Sequence, residues 1–161
     1  MLYFAYGSNL LPARLLARTP SARTLAIGRL AGHGLRWHMA ASDGSGKCDV
    51  VPDEMAVVHG VVYRLDPAEK PLLDRAEALG VGYGERRVRI ATADGSVEAW
   101  TYTALRTEAA RLPYDWYRDI VLAGARAHGL DADYVRALAA VAARPDPDLA
   151  RAALHRALLA G

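Results

Sequence analysis

The order of the predicted elements constrains the fold of this chain most, because strands dominate its first two thirds and helices its last third. Three Ala-rich segments with apolar residues at helical spacing follow Pro113. Runs of strands followed by runs of helices favour an α+β domain over a doubly wound sheet. Two separate domains would each have too small a core, so we expect a single domain over residues 1–161.

Local signals predict the elements near the N-terminus. Residues 2–6 are apolar and aromatic and predict a strand that ends at Gly7. A short helix with Asn9 as its N-cap is expected next. Strand-like pieces then occur between residues 25 and 39, and a flexible loop is predicted at residues 42–47.

The middle of the chain predicts two further strand regions around a helix. Residues 55–65 are rich in β-branched side chains and predict a strand, and a helix is expected from about residue 68 to residue 79. Two alternating segments between residues 83 and 104 are joined at Asp94-Gly95, a strong hairpin signal. These segments are predicted to form an antiparallel pair.

Composition and charge exclude several classes of function. The net charge is +2, and the 20 basic residues are scattered, so the chain lacks the basic patch of a nucleic-acid binder. No apolar run approaches the roughly 20 residues that a membrane-spanning helix needs, and no signal-peptide pattern is present. We therefore expect a cytoplasmic protein with neither nucleic-acid nor membrane partners.

Cysteine and histidine usage gives no support for a metal site. Cys48 is the only cysteine, which excludes an internal disulfide, and its neighbours predict that it is a strand residue. The five histidines do not show the spacing of a recognisable ligand set. We therefore expect no metal in this protein.

The turn Tyr6-Gly7-Ser8-Asn9 is the first candidate for a functional site. Small residues between a strand and a helix can leave successive backbone N–H groups pointing outward, where they bind a carboxylate or an oxyanion. A capped turn without a ligand explains the same pattern. The residues alone leave both interpretations open.

Glu77 is the second candidate. On the predicted helix it lies beside an apolar stripe, whereas Asp74 lies four residues after Lys70 and is expected to form an exposed pair with it. A partly desolvated carboxylate can both take and give a proton. The alternative is a structural glutamate paired with Arg86 or Arg87.

Taken together and in order, these segments resemble the gamma-glutamylcyclotransferase superfamily, which includes gamma-glutamylamine cyclotransferases and the plant AIG2-like proteins. The sequence YGSN, followed about 70 residues later by L-D-x-x-E and then G-Y, is a specific combination, and the resemblance extends from residue 3 to about residue 138. The family usually has glycine after its catalytic glutamate, where this chain has Ala78. Four segments carry the resemblance: FAYGSNL (4–10), VVHGVVYRL (57–65), LDRAEALGVGY (73–83) and YDWYRDIVLAGARAHGLDADYVRAL (114–138).

The resemblance implies a compact mixed β-barrel with surrounding helices and a helical C-terminal third. It also implies a reaction in which the α-amine of a gamma-glutamyl substrate attacks its own γ-carbonyl, releasing 5-oxoproline and an amine without a cofactor. Glu77 would be the general base and acid. The substrate-binding residues would be Tyr6, Gly7, Ser8, Asn9, Leu10, Tyr83 and Tyr117, although core packing explains the last two tyrosines equally well.

Two other functions and several substrates stay open at this stage. A non-catalytic module of the same fold would bind a gamma-glutamyl ligand, and a hydrolase would release glutamate instead of 5-oxoproline. The substrate class is also open: a gamma-glutamyl amino acid, a gamma-glutamyl amine, a glutathione-like peptide or a biosynthetic intermediate. The Ala-rich terminal helix suits a monomer and a homodimer equally well.

Overall fold

The computed structural model describes residues 1–160, which contain a closed barrel of five strands. The strands are β1 (Leu2–Ala5), β2 (Arg23–Ala40), β3 (Gly46–Arg64), β4 (Tyr83–Thr92) and β5 (Gly95–Ala104). Around the barrel they follow the order β1-β3-β2-β4-β5, and β1 closes it by pairing with β5. This last pair is parallel at Tyr3 and Trp100, whereas the other pairs are antiparallel. The predicted α+β class with a mixed barrel is confirmed.

The hairpin of β2 and β3 is much longer than the strand pieces that the sequence predicts. The two strands have 18 and 19 residues. Their pairing shifts register between Thr24 and Ala26, between Ala31 and His33, and again before Met39. Such bulges bend a strand and interrupt the two-residue alternation of its side chains. The sequence therefore looks like several short strands where the structure has one curved pair.

The hairpin of β4 and β5 agrees with its local signal. The strands are in register from Tyr83 and Ala104 to Thr92 and Gly95. The two-residue turn is thus residues 93–94, one position earlier than the predicted Asp94-Gly95 turn. Gly95 is therefore the first residue of β5 and not part of the turn. Its φ of 125° is a conformation that glycine adopts readily.

Helices cover the barrel and form the C-terminal third, as predicted. Helix α3 (Asp115–Ala127) lies against the turn at Ser8–Leu10, so closely that a Cβ atom on Gly124 would collide with the backbone of Leu10. Helix α5 (Leu149–Arg156) packs on α3 and buries Ala152. The helices are α1 (Pro12–Arg18), α2 (Lys70–Ala76), α3 (Asp115–Ala127), α4 (Ala132–Ala139) and α5 (Leu149–Arg156), with short 3-10 turns at Ser8–Leu10, Pro67–Glu69 and Ala157–Leu159. Within residues 1–160 no helix has the length and hydropathy needed to cross a membrane.

Two predicted helix boundaries are wrong. Helix α1 begins at Pro12 with Leu11 in the cap position, so Asn9 is not its N-cap. Proline is favoured at the first helical position because its missing N–H has no partner there in any case. Helix α2 ends at Ala76, three residues earlier than expected, and this places Glu77 at its C-cap.

The core lies inside the barrel and between the barrel and α3. Phe4, Val62 and Ile90 fill the barrel interior with no exposed surface. On the opposite side, Trp116 and Ile120 of α3 are equally buried. The turn at Ser8–Leu10 lies between these two packed surfaces, and this position fixes it relative to the barrel.

Candidate active site

A small cavity of about 30 Å³ lies where β1 ends. It adjoins a wider cleft of about 780 Å³, and four residues line both: Ser8, Glu77, Tyr83 and Tyr117. The complete lining of the small cavity is Tyr3, Tyr6, Gly7, Ser8, Asn9, Cys48, Glu77, Tyr83, Tyr102 and Tyr117. The tertiary structure thus brings together every site residue predicted from the sequence except Leu10.

Glu77 is held by the turn that ends α2. The N–H of Leu79 donates to Asp74 O at 2.9 Å, and the N–H of Ala78 donates to Arg75 O at 3.1 Å. This pair of bonds is the Schellman motif, in which the residue after the C-cap takes a left-handed conformation. That residue is Ala78, with a φ of 49°. The turn is therefore retained although alanine replaces the usual glycine.

One oxygen of Glu77 accepts two hydrogen bonds. Its Oε1 accepts from Arg18 Nη1 at 2.6 Å and from Asn9 Nδ2 at 2.9 Å. The Glu77 side chain is 15% exposed, and among the described residues Oε2 accepts no hydrogen bond. The carboxylate is therefore fixed in orientation through one oxygen, while the other is available for proton transfer.

The ionic partner of Glu77 differs from the alternative suggested by the sequence. Arg18 forms the salt bridge, so the alternative with Arg86 or Arg87 is wrong. Arg87 instead stacks over Trp100, with its guanidinium carbon 4.7 Å from the ring centroid. Both arginines belong to β4, whereas Arg18 reaches Glu77 from the last turn of α1.

Asn9 connects the N-terminal turn to Glu77. Its Nδ2 also donates to the Tyr3 hydroxyl at 2.9 Å, and its Oδ1 accepts from Arg18 Nη1 at 2.8 Å. Asn9 is only 3% exposed, so each of these bonds replaces a lost bond to water. The side chain positions both the carboxylate and the arginine.

Gly7 brings the turn into close contact with β3 and α3. A Cβ atom at this position would lie 3.2 Å from Cys48 Cβ and 3.3 Å from the Tyr117 hydroxyl. The first hydrogen bond of the 3-10 turn is donated by Leu10 N–H to Gly7 O at 2.9 Å. The N–H groups of Ser8 and Asn9 come before it in the chain and have no partner within the turn.

The tyrosine hydroxyls of the small cavity are hydrogen-bonded and protonated. Tyr6 donates to Tyr102 O at 2.5 Å, Tyr83 donates to Cys48 O at 2.7 Å, and the Tyr117 hydroxyl accepts from Cys48 N–H at 3.1 Å. Burial raises the pKa of Tyr6, Tyr83 and Tyr117 well above the usual value. These groups can donate hydrogen bonds but cannot act as bases near neutral pH.

Cys48 is a buried strand residue whose backbone orients two of these tyrosines. Burial raises the pKa of its thiol to about 12. A thiol in this state is not a nucleophile at neutral pH. Glu77 is therefore the group in the small cavity that suits proton transfer.

Comparisons of the chain with a family model and with curated proteins point to one family. The model of the AIG2-like family matches residues 57–138. The human protein named gamma-glutamylcyclotransferase is 31% identical over 147 residues, which cover 87% of this chain and 78% of the human protein. The mouse protein of the same name is 30% identical over 153 residues, with the same two coverages. The chain belongs to the AIG2-like gamma-glutamylcyclotransferase family.

A solved structure titled gamma-glutamyl cyclotransferase extends the comparison to the whole chain. It superimposes with a TM-score of 0.91 and 26% identity, covering 100% of this chain and 99% of the other. The gamma-glutamylcyclotransferase architecture therefore includes α5, which lies beyond the residues that the family model matches.

Leu10 is the one predicted site residue of this family member that lies away from the cavity. Its side chain is fully buried in the core, and its N–H is used by the bond to Gly7. Its carbonyl oxygen lies 3.1 Å from His128 Nε2. Leu10 offers neither a side chain nor a free N–H to a ligand, so we remove it from the site.

Arg14 and Arg18 follow the YGSN turn by one and two helical turns and were not predicted as site residues. Both line the wide cleft of this cyclotransferase family member. Their spacing of four residues puts them on one face of α1, and this is the signal that could have identified them.

The predicted exposed pair of Lys70 with Asp74 is instead partly buried, because Tyr102 donates to the same carboxylate at 2.6 Å.

Proposed function

We propose that the protein is a gamma-glutamyl cyclotransferase that releases 5-oxoproline and a free amine from a gamma-glutamyl amide. The observation that carries this proposal is the position of Glu77 between the small cavity and the wide cleft, with an Oε2 that accepts no hydrogen bond from residues 1–160. Membership of the gamma-glutamylcyclotransferase family supports the same reaction.

The reaction needs a base and then an acid. Glu77 Oε2 takes a proton from the α-amine of the substrate, whose nitrogen attacks the γ-carbonyl carbon and closes a five-membered ring. The C–N bond to the leaving amine then breaks, and the protonated Glu77 gives the same proton to that nitrogen. The carboxylate is thereby regenerated, and no water is consumed.

The ion pair with Arg18 supports the first step. A guanidinium 2.6 Å from Oε1 holds the Glu77 carboxylate in one orientation, which leaves Oε2 to take the proton. The bond from Asn9 acts in the same direction and prevents rotation of the carboxylate. Both groups therefore act on Glu77 as positioning residues.

In this proposal the γ-carbonyl oxygen of the gamma-glutamyl group enters the small cavity, and the rest of the group extends into the adjoining cleft. Tyr6, Tyr83 and Tyr117 enclose the small cavity, and Gly7 leaves space that a side chain would fill. The N–H groups of Ser8 and Asn9 are donors for a substrate oxygen. Because nucleophile and electrophile belong to one molecule, holding the glutamyl chain in a folded pose gives much of the rate enhancement.

The wide cleft receives the leaving amine. It shares Glu77 with the small cavity, so an amide bond held beside the carboxylate would have its carbonyl oxygen at the small cavity and its amine side in the cleft. A binding module would not need a free carboxylate oxygen at this point. The position of Glu77 therefore favours catalysis over binding alone.

Product analysis tests the proposal. Wild type, Glu77→Gln and Glu108→Gln are incubated with gamma-glutamyl amino acids and gamma-glutamyl amines, and the products are identified by mass spectrometry. Glu108 also lines the cleft but is paired with Arg111, so it is the matched control. We expect 5-oxoproline from wild type and Glu108→Gln and a loss of about 100-fold or more in Glu77→Gln. Glutamate as the product would identify a hydrolase, and full activity of Glu77→Gln would show that another group is the base.

Three further predictions belong to this proposal. Residues 1–161 act as one domain, in accordance with the packing of α3 on the N-terminal turn and of α5 on α3. The protein works in the cytoplasm on a small gamma-glutamyl compound. A homodimer stays a prediction.

A further inference from the structure

Five tyrosines line the small cavity, and each hydroxyl carries one proton that can be donated. Three of these protons go to acceptors within the protein: from Tyr6 to Tyr102 O at 2.5 Å, from Tyr83 to Cys48 O at 2.7 Å, and from Tyr102 to Asp74 Oδ1 at 2.6 Å. The other two tyrosines are Tyr3 and Tyr117. A ligand in the cavity could therefore receive a tyrosine proton only from these two.

The Tyr117 hydroxyl has a second hydrogen-bonding partner beside it. Its oxygen accepts from the Cys48 N–H at 3.1 Å, and the Cys48 thiol is a hydrogen-bonding neighbour of the same hydroxyl. Sulfur is a weak acceptor, but it gives the Tyr117 proton a partner within the protein. Tyr3 is then the tyrosine whose proton is left for a ligand.

The Tyr3 hydroxyl only accepts a hydrogen bond. Its oxygen accepts from Asn9 Nδ2 at 2.9 Å, and within residues 1–160 its proton has no acceptor. Tyr3 is 5% exposed, so bulk water does not reach it freely, and the small cavity is the space beside it. A buried donor without an acceptor is unfavourable, and a ligand oxygen in the cavity relieves this cost.

The barrel holds Tyr3 in place on three sides. In β1 it is paired with Tyr63 of β3 and with Trp100 of β5. Its ring packs edge-on against Tyr102, with a centroid distance of 5.8 Å and an interplanar angle of 64°. The hydroxyl is therefore preorganised, which is the condition under which a donor stabilises charge that develops in a transition state.

Asn9 places this donor close to the proposed base. Its Nδ2 donates both to the Tyr3 hydroxyl and to Glu77 Oε1, each at 2.9 Å. Burial, followed by the charge of Glu77, raises the pKa of Tyr3 well above the usual value, so the hydroxyl keeps its proton at neutral pH. A proton donor and a proton acceptor thus lie on either side of one amide group.

Resting on the proposed cyclotransferase function, we propose that Tyr3 is a catalytic residue whose hydroxyl donates a hydrogen bond to the γ-carbonyl oxygen of the substrate. When the amine nitrogen attacks the carbonyl carbon, an electron pair moves to this oxygen, and the bond from Tyr3 becomes stronger. The pair returns when the C–N bond to the leaving amine breaks, and the proton of Tyr3 stays on the tyrosine throughout. Tyr3 adds a side-chain donor to the backbone N–H groups of Ser8 and Asn9.

Two hydroxyl deletions test this assignment. Tyr3→Phe removes the donor, and the control Tyr134→Phe removes a buried hydroxyl that has no hydrogen-bond partner within residues 1–160 and lines neither the cavity nor the cleft. The constants kcat and KM are measured for gamma-glutamyl-alanine from 5-oxoproline release, and circular dichroism checks folding. We expect Tyr3→Phe to lower kcat by about 100-fold and to change KM by less than about threefold. Tyr134→Phe keeps both constants, and an unchanged kcat in Tyr3→Phe would overturn the assignment.

A thioamide substrate distinguishes a donor to the substrate from a residue that only supports Asn9 and Glu77. In this analogue of gamma-glutamyl-alanine sulfur replaces the γ-carbonyl oxygen, and sulfur is a weaker acceptor. If Tyr3 acts on this atom, Tyr3→Phe slows the thioamide by less than about tenfold, compared with about 100-fold for the amide. A residue that only orients Glu77 would slow both compounds equally when it is replaced, and that result would also overturn the assignment.

Binding measurements separate failure of this assignment from failure of the proposed function. The probe is a glutamate analogue with a methylphosphinate in place of the γ-carboxyl group, because its tetrahedral anion imitates the attacked carbonyl. In calorimetric titrations we expect Tyr3→Phe, but not Tyr134→Phe, to lose about tenfold in affinity. That loss without any release of 5-oxoproline would refute the reaction and support the donor. Release of 5-oxoproline with unchanged kcat and affinity in Tyr3→Phe would overturn the donor and leave the reaction in place.

Discussion

The left-handed backbone of Ala78 leads to a quantitative prediction for Ala78→Gly. An L-residue in this region costs roughly 1–2 kcal/mol, and glycine avoids this cost. Glycine in turn loses about 0.5–1 kcal/mol more conformational entropy than alanine on folding. The Cβ of Ala78 is exposed, so its removal sacrifices little buried surface. We therefore expect the free energy of unfolding to rise by about 0.5–1 kcal/mol.

Thermal and urea unfolding followed by circular dichroism measure this change. For a chain of this size, 1 kcal/mol corresponds to a Tm shift of roughly 2–4 °C, so the expected increase is about 1–4 °C. The matched control is Ala76→Gly, the same substitution in the last turn of α2, where the backbone is right-handed. There glycine is expected to lower stability by up to about 1 kcal/mol.

The comparison of the two variants can refute the reasoning. If Ala78→Gly destabilises the protein as much as Ala76→Gly does, position 78 is not left-handed in solution. The Schellman motif at Glu77 would then be absent, and the proposed orientation of the catalytic carboxylate would lose its structural basis. A higher free energy of unfolding for Ala78→Gly and a lower one for Ala76→Gly would support both the Schellman motif and the proposed orientation of the carboxylate.

Two further predictions concern the charged groups around the site. Arg18→Met removes the cation 2.6 Å from Glu77, and we expect kcat/KM for 5-oxoproline release to fall by about 10- to 100-fold; an unchanged value would show that the ion pair does not support the base. The lowered pKa of His155, caused first by burial and then by Arg14, means that the unfolded chain binds a proton more readily than the folded one between pH 6.5 and about 4. The free energy of unfolding should therefore fall as the pH drops through this window. His155→Phe should reduce that pH dependence in urea titrations, and an equal dependence in both proteins would contradict the buried, neutral ring.

Local sequence patterns determined much of the architecture. The alternation between residues 83 and 104 specified the β4–β5 hairpin, and the Ala-rich segments after Pro113 specified α3, α4 and α5. Both depend on residues close together in the chain, and for these the periodicity of side chains is sufficient. The YGSN turn and Glu77 were also found in the sequence, because their motif and its spacing are specific to a family.

Tertiary structure alone decided how these parts meet. Closure of the barrel depends on the parallel pairing of Tyr3 with Trp100, which no local pattern encodes. The partner of Glu77 is Arg18, 59 residues away, and Arg14 meets His155 across 141 residues. Contacts of this kind follow from the packing of the barrel against α1, α3 and α5 and not from periodicity. The sequence therefore determined which residues are available for chemistry, and the fold decided which of them share a cavity.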